Sequence, residues 1–321
     1  MSTTARSANA AKLGFSRDVL EGKVAIISGS TRGIGRECAL ALAREGCRIV
    51  VAGKSLKSTP ELPGSIYSVA DEVRACGSEA ISVQLDVLSE ESIIKCVEAA
   101  VEKWGRVDIC VNNASALWWQ TINDTPSKKY DLITRLNTRG SFLLTKHCLP
   151  HMRKNKFGRV ICMSPPIELE KEAYKGLCAY NISKMGMTMV ALGAAAAEGV
   201  DDNILANSLW PATVIESQAS INFDLGDKKL WRKATILADA TVSLCCDQET
   251  TGQMLIDDEY LTEVRGLTKD DLKTYRYDPN TDPPRLLAEK TGSMVTRGDV
   301  RKVKQERRTD DFEKAKNKSK L

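Results

Sequence analysis

The amino-acid sequence predicts a doubly wound α/β protein, a single parallel sheet covered by helices on both faces. Three observations carry this reading. Short apolar runs alternate along the chain with helical stretches of ten or more residues. Those runs are largely apolar throughout, as strands buried on both faces are. A glycine-rich turn joins the first run to the first helical stretch, and strands alternating with helices in this way mean a parallel sheet.

The elements follow in order. Residues 24–28 form the first apolar run, and a helical stretch covers 34–44 beyond the glycine turn. Residues 47–52 form the second run. A polar segment with Pro60 and Pro63 leads to a helix near 67–75. The third strand is 80–85, and the helix at 89–103 opens with a serine and several acids, as helix starts prefer. The fourth strand is 107–111. Pro126 precedes a largely helical stretch at 127–154, and 159–163 is the fifth strand. A long helix spans 178–198, and the sixth strand, 204–209, is closed by Pro211. A helix near 233–246 and a strand at 253–256 complete the pattern. Periodicity fades after Leu261, and residues 278–284, rich in Asp and Pro, read as a loop. The organisation expected is a flexible N-terminal extension over 1–22, one domain over 23–275 and a charged tail over 276–321.

Composition narrows the function classes. Of 321 residues, 42% are apolar and 27% charged, enough for a full core. The longest apolar stretch, near 187–197, is too short to span a bilayer. The net charge is +4, but residues 297–321 hold ten Lys or Arg against five Asp or Glu, leaving −1 for the rest. Nothing in the body therefore marks a nucleic-acid binder. The ten cysteines include no Cys-x-x-Cys pair, and several lie inside apolar runs such as Ile109-Cys110-Val111. They read as small buried hydrophobes in a reducing compartment. His147 and His151 are the two histidines of the chain, too few for a metal site. The first 22 residues carry Arg6, Lys12 and Arg17 with no acid before Asp18. A disordered extension is expected there, with a mitochondrial transit segment as the alternative.

The turn after the first strand reads Ser28-Gly29-Ser30-Thr31-Arg32-Gly33-Ile34-Gly35. Its glycines permit a tight turn, close approach of backbone to a pyrophosphate, and close packing of the helix. The helix N-terminus offers unpaired N–H groups to the anion. A strand before and a helix after supply the context that makes this a dinucleotide site. NAD sites usually offer an acid at the end of the second strand. This chain reads Val51-Ala52-Gly53-Lys54-Ser55 there, without one. Arg32 in the loop and Lys54 beyond the strand suit a 2′-phosphate, so NADP(H) is expected over NAD(H).

Tyr180 and Lys184 are four apart on one helix face. A phenol is too weak an acid for general base work near neutrality, and a neighbouring ammonium lowers its pKa. Ser164 ends the fifth strand, on the side where open α/β sheets bind ligands.

Together these residues resemble the short-chain dehydrogenase/reductase family, and within it the hydroxysteroid dehydrogenase-like group. The resemblance rests on Gly29-x-x-x-Gly33-x-Gly35, Asp86, Asn112-Asn113-Ala114-Ser115, Asn137, Ser164 and Tyr180-x-x-x-Lys184, in order, over residues 23–257. Gly64-Ser65-Ile66-Tyr67, Ser164-Pro165-Pro166 and Leu209-Trp210-Pro211 resemble the finer group. It implies a Rossmann-type domain in which Tyr180 donates or accepts the proton and Ser164 bonds the substrate oxygen. Lys184 tunes Tyr180 and holds the ribose, and Asn137 helps hold a water relay. Asp86 contacts the adenine, Asn113 and Ala114 line the cofactor, and Pro211 and Thr213 approach the nicotinamide. Ser115 and Ala212 stand where glycine is usual. Ser164 and Tyr180 are 16 apart, more than is typical, so residues 165–176 are expected to bulge at the substrate mouth. Animal members carry a sterol-carrier domain after the dehydrogenase. No residues remain for one here, so a lipid-transfer role is not expected. A homo-oligomer is implied.

Leu117, Trp118 and Trp119 follow the fourth strand, and Phe223 and Leu225 fall where the family has a substrate-covering loop. They suit an apolar fatty, isoprenoid or steroid-like alcohol or carbonyl, and equally ordinary packing. The chain ends Ser319-Lys320-Leu321, a peroxisomal address read by an import receptor, so a peroxisome or glycosome-type organelle is expected. Two alternatives stay open. One is reduction of an enoyl thioester, and the other is a module that binds nucleotide or lipid without turnover.

Overall fold

The protein is described as a computed structural model over residues 5–198 and 202–287. The strands are β1 Val24–Ser28, β2 Arg48–Gly53, β3 Ala80–Gln84, β4 Ile109–Asn112, β5 Gly158–Met163, β6 Ile204–Trp210 and β7 Met254–Ile256. They form one sheet in the order β3-β2-β1-β4-β5-β6-β7, with every pairing parallel. Ile26 lies between Val50 and Cys110 in register. The chain leaves β1 toward one edge and returns to build toward the other, so the order reverses between β1 and β4. A crevice opens at that reversal, beyond the C-terminal ends of the strands.

The helices are α1 Arg17–Leu20, α2 Gly33–Arg44, α3 Ile66–Ala75, α4 Glu90–Trp104, α5 Ser127–Thr134, α6 Gly140–Asn155, α7 Cys178–Glu198, α8 Gln218–Asn222, α9 Thr235–Cys246 and α10 Asp257–Glu259. Strand parity assigns the faces, since successive side chains point opposite ways. Ala25 and Ile27 join α2 and α9 in one apolar layer, with Leu40, Leu42, Ile236 and Leu244. Val24 and Ile26 join α4 and α6 in the other, with Ile93, Val97, Leu144 and Cys148. Local signals set the helix ends. The Ser65 and Ser68 side chains cap α3 reciprocally, Ser89 caps α4, and Gly105 ends α4 at φ 74°.

The stretch expected to be largely helical at 127–154 is helical throughout, with Arg135–Arg139 forming a π-helical turn between α5 and α6. Two other expectations change. The extension expected to be flexible over 1–22 is packed from residue 5 onward. Leu13 and Leu20 are fully buried in the α2–α9 layer, and Ser243 donates to the Leu13 carbonyl at 2.8 Å. Arg6 pairs with buried Glu45, and the Ser7 hydroxyl donates to Asp239. Apolar residues spaced along an otherwise polar segment give no periodic signal, yet each fills a gap between α2 and α9. The domain also continues past 275, since residues 276–287 are packed as described below. Ser319-Lys320-Leu321 and the rest of the charged tail lie outside the described residues.

Among the described residues no helix is long and apolar enough to cross a membrane, and no group of His, Cys, Asp or Glu is placed to hold a metal. All ten cysteines are free thiols, and Cys76 and Cys178 are the two that are partly exposed. Replacing Leu13 with Ala is expected to cost about 2–5 kcal/mol, as for other buried leucines. Urea unfolding of the two proteins measures it, and an unpacked extension would give no difference.

Candidate active site

A cleft of about 480 Å³ runs across the C-terminal ends of the strands. One end is the glycine turn. Gly29 and Gly33 have φ of 70° and 55°, a region that side chains disfavour. A Cβ on Gly35 would stand 2.5 Å from the Asn113 amide and from the Gly29 carbonyl oxygen, so helix α2 closes onto the turn only with glycine there. The Asn113 amide donates to the carbonyls of Ser28 and Gly29, at 2.9 and 3.1 Å. Gly29, Thr31, Arg32, Gly33 and Ile34 line this end. Ser30 does not, because its hydroxyl turns away to accept from the Ala52 N–H at 2.9 Å. Gly35 does not either, and acts through packing.

Beyond β2, Lys54 and Asp86 line the cleft and pair with each other at 2.8 Å, both partly exposed. Arg32 binds neutral oxygens instead, donating to Ser55 Oγ at 2.9 Å and to the carbonyls of Pro63 and Gly64 at 3.0 and 3.1 Å. Asn113 and Ala114 line the middle of the cleft.

The other end is apolar and carries Tyr180 and Lys184 from α7, with Trp119, Trp210, Pro211, Phe223 and Leu225. Trp119 meets the Tyr180 ring edge-on at 6.0 Å and the Phe223 ring at 6.5 Å. Burial pushes the Tyr180 phenol up, so it is held protonated at neutral pH. Burial pulls Lys184 down, from its ordinary 10.5 to about 7. Its ammonium donates to the Met163 carbonyl and lies 5.2 Å from the centre of the Trp210 ring.

The short chain dehydrogenase family pattern matches residues 23–224. The chain belongs to the short-chain dehydrogenase family. Hydroxysteroid dehydrogenase-like protein 2 of Bos taurus is 41% identical over 246 residues, which is 76% of this chain and 58% of that protein. The chain thus matches little more than half the length of that relative. A solved short chain dehydrogenase of Mycobacterium thermoresistibile superposes with a TM-score of 0.77 at 34% identity, over 85% of this chain and 97% of that one. 7α-Hydroxysteroid dehydrogenase, complexed with NADH and 7-oxo glycochenodeoxycholic acid, superposes with a TM-score of 0.63 at 25% identity, over 75% and 94%.

The family uses NAD(P)(H), and this chain fits such a group. The glycine turn is a cradle that a Cβ would fill, with the start of α2 directly after it. Gly29, Thr31 and Gly33 would hold the pyrophosphate, Asn113 and Ala114 the centre, and Lys184 and Pro211 the nicotinamide end. Thr213, expected there too, is fully buried and does not line the cleft.

Two of the residues expected to be catalytic stand off the cleft. Met163 lines it, so strand parity turns Ser164 to the other face with Cys162. There Ser164 is fully buried and accepts from the Thr188 hydroxyl at 2.9 Å. Asn137 sits in the π-helical turn. Its oxygen accepts from Ala116 N–H at 2.8 Å, and its amide donates to Ala116 O at 3.0 Å and to Ser183 Oγ at 2.9 Å. The side chain therefore braces the loop after β4 against α7. Gly186 allows that closeness, since a Cβ there would stand 2.5 Å from Thr138 Oγ1. Lys184 is likewise not bonded to the Tyr180 phenol, and burial alone moves the phenol.

Residues 165–176 do not line the cleft. They close on themselves, with the Tyr174 hydroxyl donating to Glu168 O and the Asn181 amide to Ala173 O. Trp118 also turns away, beneath the Lys129 ammonium. Sequence reasoning missed Trp210 as a cleft wall and missed Leu287 altogether. The parity of β6, ending at Pro211, could have flagged the first, and nothing local could have flagged the second.

The Lys184 shift has a measurable sign. Its folded pKa is about 7 against an ordinary 10.5, so between these values the unfolded chain holds a proton that the folded protein lacks. Stability from this group is therefore withheld below about pH 7 and recovered as pH rises. Lys184→Met removes that slope. The unfolding free energy of the native protein minus that of the variant is expected to rise from pH 7 toward 9 in urea melts. Parallel curves would contradict the burial of a charged Lys184.

Proposed function

We propose that the protein is an NADP(H)-dependent oxidoreductase that interconverts an alcohol and a carbonyl on an apolar substrate, with Tyr180 as the general acid and base. The observation that carries this reading is a buried phenol on the apolar end of a dinucleotide cleft, one helical turn from a buried lysine. When bound, the nicotinamide supplies or accepts hydride. The chain handles the proton. In reduction, Tyr180 gives its phenolic proton to the oxygen that develops negative charge, and the ammonium of Lys184 stabilises the phenolate left behind. Aromatic and aliphatic walls exclude water from this exchange.

Preference for NADP(H) is supported by Arg32, whose partners are neutral oxygens beside Ser55. Lys54 is held by an exposed pair with Asp86, and such pairs contribute about 0–1 kcal/mol, so it is easily redirected. A fatty, isoprenoid or steroid-like substrate is supported by Trp119, Trp210 and Phe223. The bile-acid ketone bound by 7α-hydroxysteroid dehydrogenase is a precedent for that substrate class on this fold.

The test is turnover of a panel of aliphatic and steroid ketones and an enoyl thioester by the full chain. Tyr180→Phe is expected to lower kcat by about a hundredfold or more while cofactor still binds. Undiminished turnover would refute the role of Tyr180. Arg32→Ala is expected to weaken NADPH binding about ten- to hundredfold, the loss typical of a charged hydrogen bond, and to leave NADH binding little changed. Equal losses for both cofactors would count against the assigned preference.

A further inference from the structure

We infer that the segment 276–287 brings Leu287 into the wall of the substrate compartment, and that Leu287 selects substrates by size at the reacting end. The inference rests on the cleft turning over an apolar carbonyl, as proposed above, and goes beyond it in naming the selector. The segment lies outside residues 23–224, the part of the chain that the family pattern matches.

Its course is fixed by bonds along its length. Tyr277 N–H donates to Trp231 O at 3.0 Å, and Arg276 forms an antiparallel bridge with Arg232. Arg285 then reaches α10, bonding Asp258 and Glu259 at 2.5 Å each. Leu287 N–H donates to Ala212 O at 3.0 Å, while Ala212 N–H donates to Asp257 Oδ1 at 2.9 Å. Ala212 stands between Pro211 and Thr213, so both backbone groups of the residue behind the nicotinamide end are gripped. One grip comes from α10 and the other from the returning segment. The side chain of Leu286 packs on the cluster of Trp119, Tyr180, Trp210 and Phe223. The side chain of Leu287 faces the cleft itself, together with those rings and Leu225.

The anchor and the wall can be separated. Asp258 is nearly fully buried and bonds Arg232 as well as Arg285. Removing Arg285 thus loosens the segment without leaving the buried carboxylate unpaired, which is the change that would cost most. A wall residue acts by volume. In an apolar pocket one extra or missing methylene shifts discrimination by about ten- to two-hundredfold.

The experiment compares the full chain with Leu287→Ala, Leu287→Trp and Arg285→Ala, using a small aliphatic ketone and a steroid ketone. It reads kcat/KM for each and ketone affinity by calorimetry. Leu287→Trp is expected to lower kcat/KM and affinity for the steroid ketone about tenfold or more relative to the small one, and Leu287→Ala to move the ratio the other way. Arg285→Ala is expected to raise KM for the steroid ketone more than it changes kcat, and Arg285→Lys to restore it in part. NADPH affinity should change less than ketone affinity in the Leu287 variants, which keep the backbone N–H that bonds Ala212 O at the nicotinamide end. Turnover with an unshifted ratio in both Leu287 variants overturns the inference and leaves the proposed function standing. Ketone affinity that shifts while no variant turns over any carbonyl does the reverse. A native protein that neither binds nor turns over a ketone overturns both.

Discussion

The cross-tie between the ends of β1 and β4 holds the rest of the site in place. These two strands lie side by side where the sheet order reverses, so the connections that leave them diverge to opposite faces. Ser28 spans the gap: its hydroxyl donates to Val111 O and accepts from the N–H groups of Asn113 and Ala114, at 3.1 to 3.2 Å. Asn113 answers from the other strand with bonds to two carbonyls of the glycine turn. The turn is thereby pinned at a positive φ that its glycines accept at low cost, and α2 starts against it with its N–H groups facing the cleft. Without this tie the glycine-rich segment would be an ordinary flexible loop, and both ends of the cleft would lose their common reference.

The reacting end rests on a different balance. Tyr180 and Lys184 are both taken out of water, and desolvation opposes charge on each in the opposite sense. The phenol is pushed toward its neutral form and the amine is pulled toward its own. A phenol so buried gives up its proton only where a positive charge is close, and Lys184 lies one helical turn away on α7. Neighbouring carbonyl and ring contacts at Met163 and Trp210 restrain the lysine, so its position is not left to solvent.

Much of the architecture was legible because the signals are local. Strand bodies such as 24–28 and 204–209 are continuous apolar runs, and their observed limits differ from the expected ones by two residues or fewer. The glycine turn, Arg32, Tyr180 and Lys184 sit within a few residues of a strand end or on one helix face, where spacing alone decides which way a side chain points. The side chains of Ser164 and Asn137 stand off the cleft for the opposite reason. Their residue types are right, but each has a closer partner supplied by tertiary structure, Thr188 in one case and the Ala116 backbone in the other. The π-helical turn that carries Asn137 has no periodic signature either, since it arises where α5 and α6 meet α7. Residues 5–22 looked unstructured because Leu13 and Leu20 are isolated apolar residues whose burial depends on surfaces that α2 and α9 create.

This division has a physical basis that bears on specificity. Binding of the pyrophosphate relies on backbone N–H groups and on φ angles, properties of a contiguous turn that any chain with those glycines can reproduce. Shaping a water-poor compartment for an apolar substrate requires walls on every side, and one turn cannot supply them. Here the walls come from the loop after β4, from the end of β6, from the segment around α8 and from Leu287, which are far apart in sequence. Each must be held by its own anchor, as Arg285 holds the last of them to α10. The chemistry of the cleft can therefore persist with few local residues, while the choice of substrate is distributed over contacts that exist only once the chain has folded.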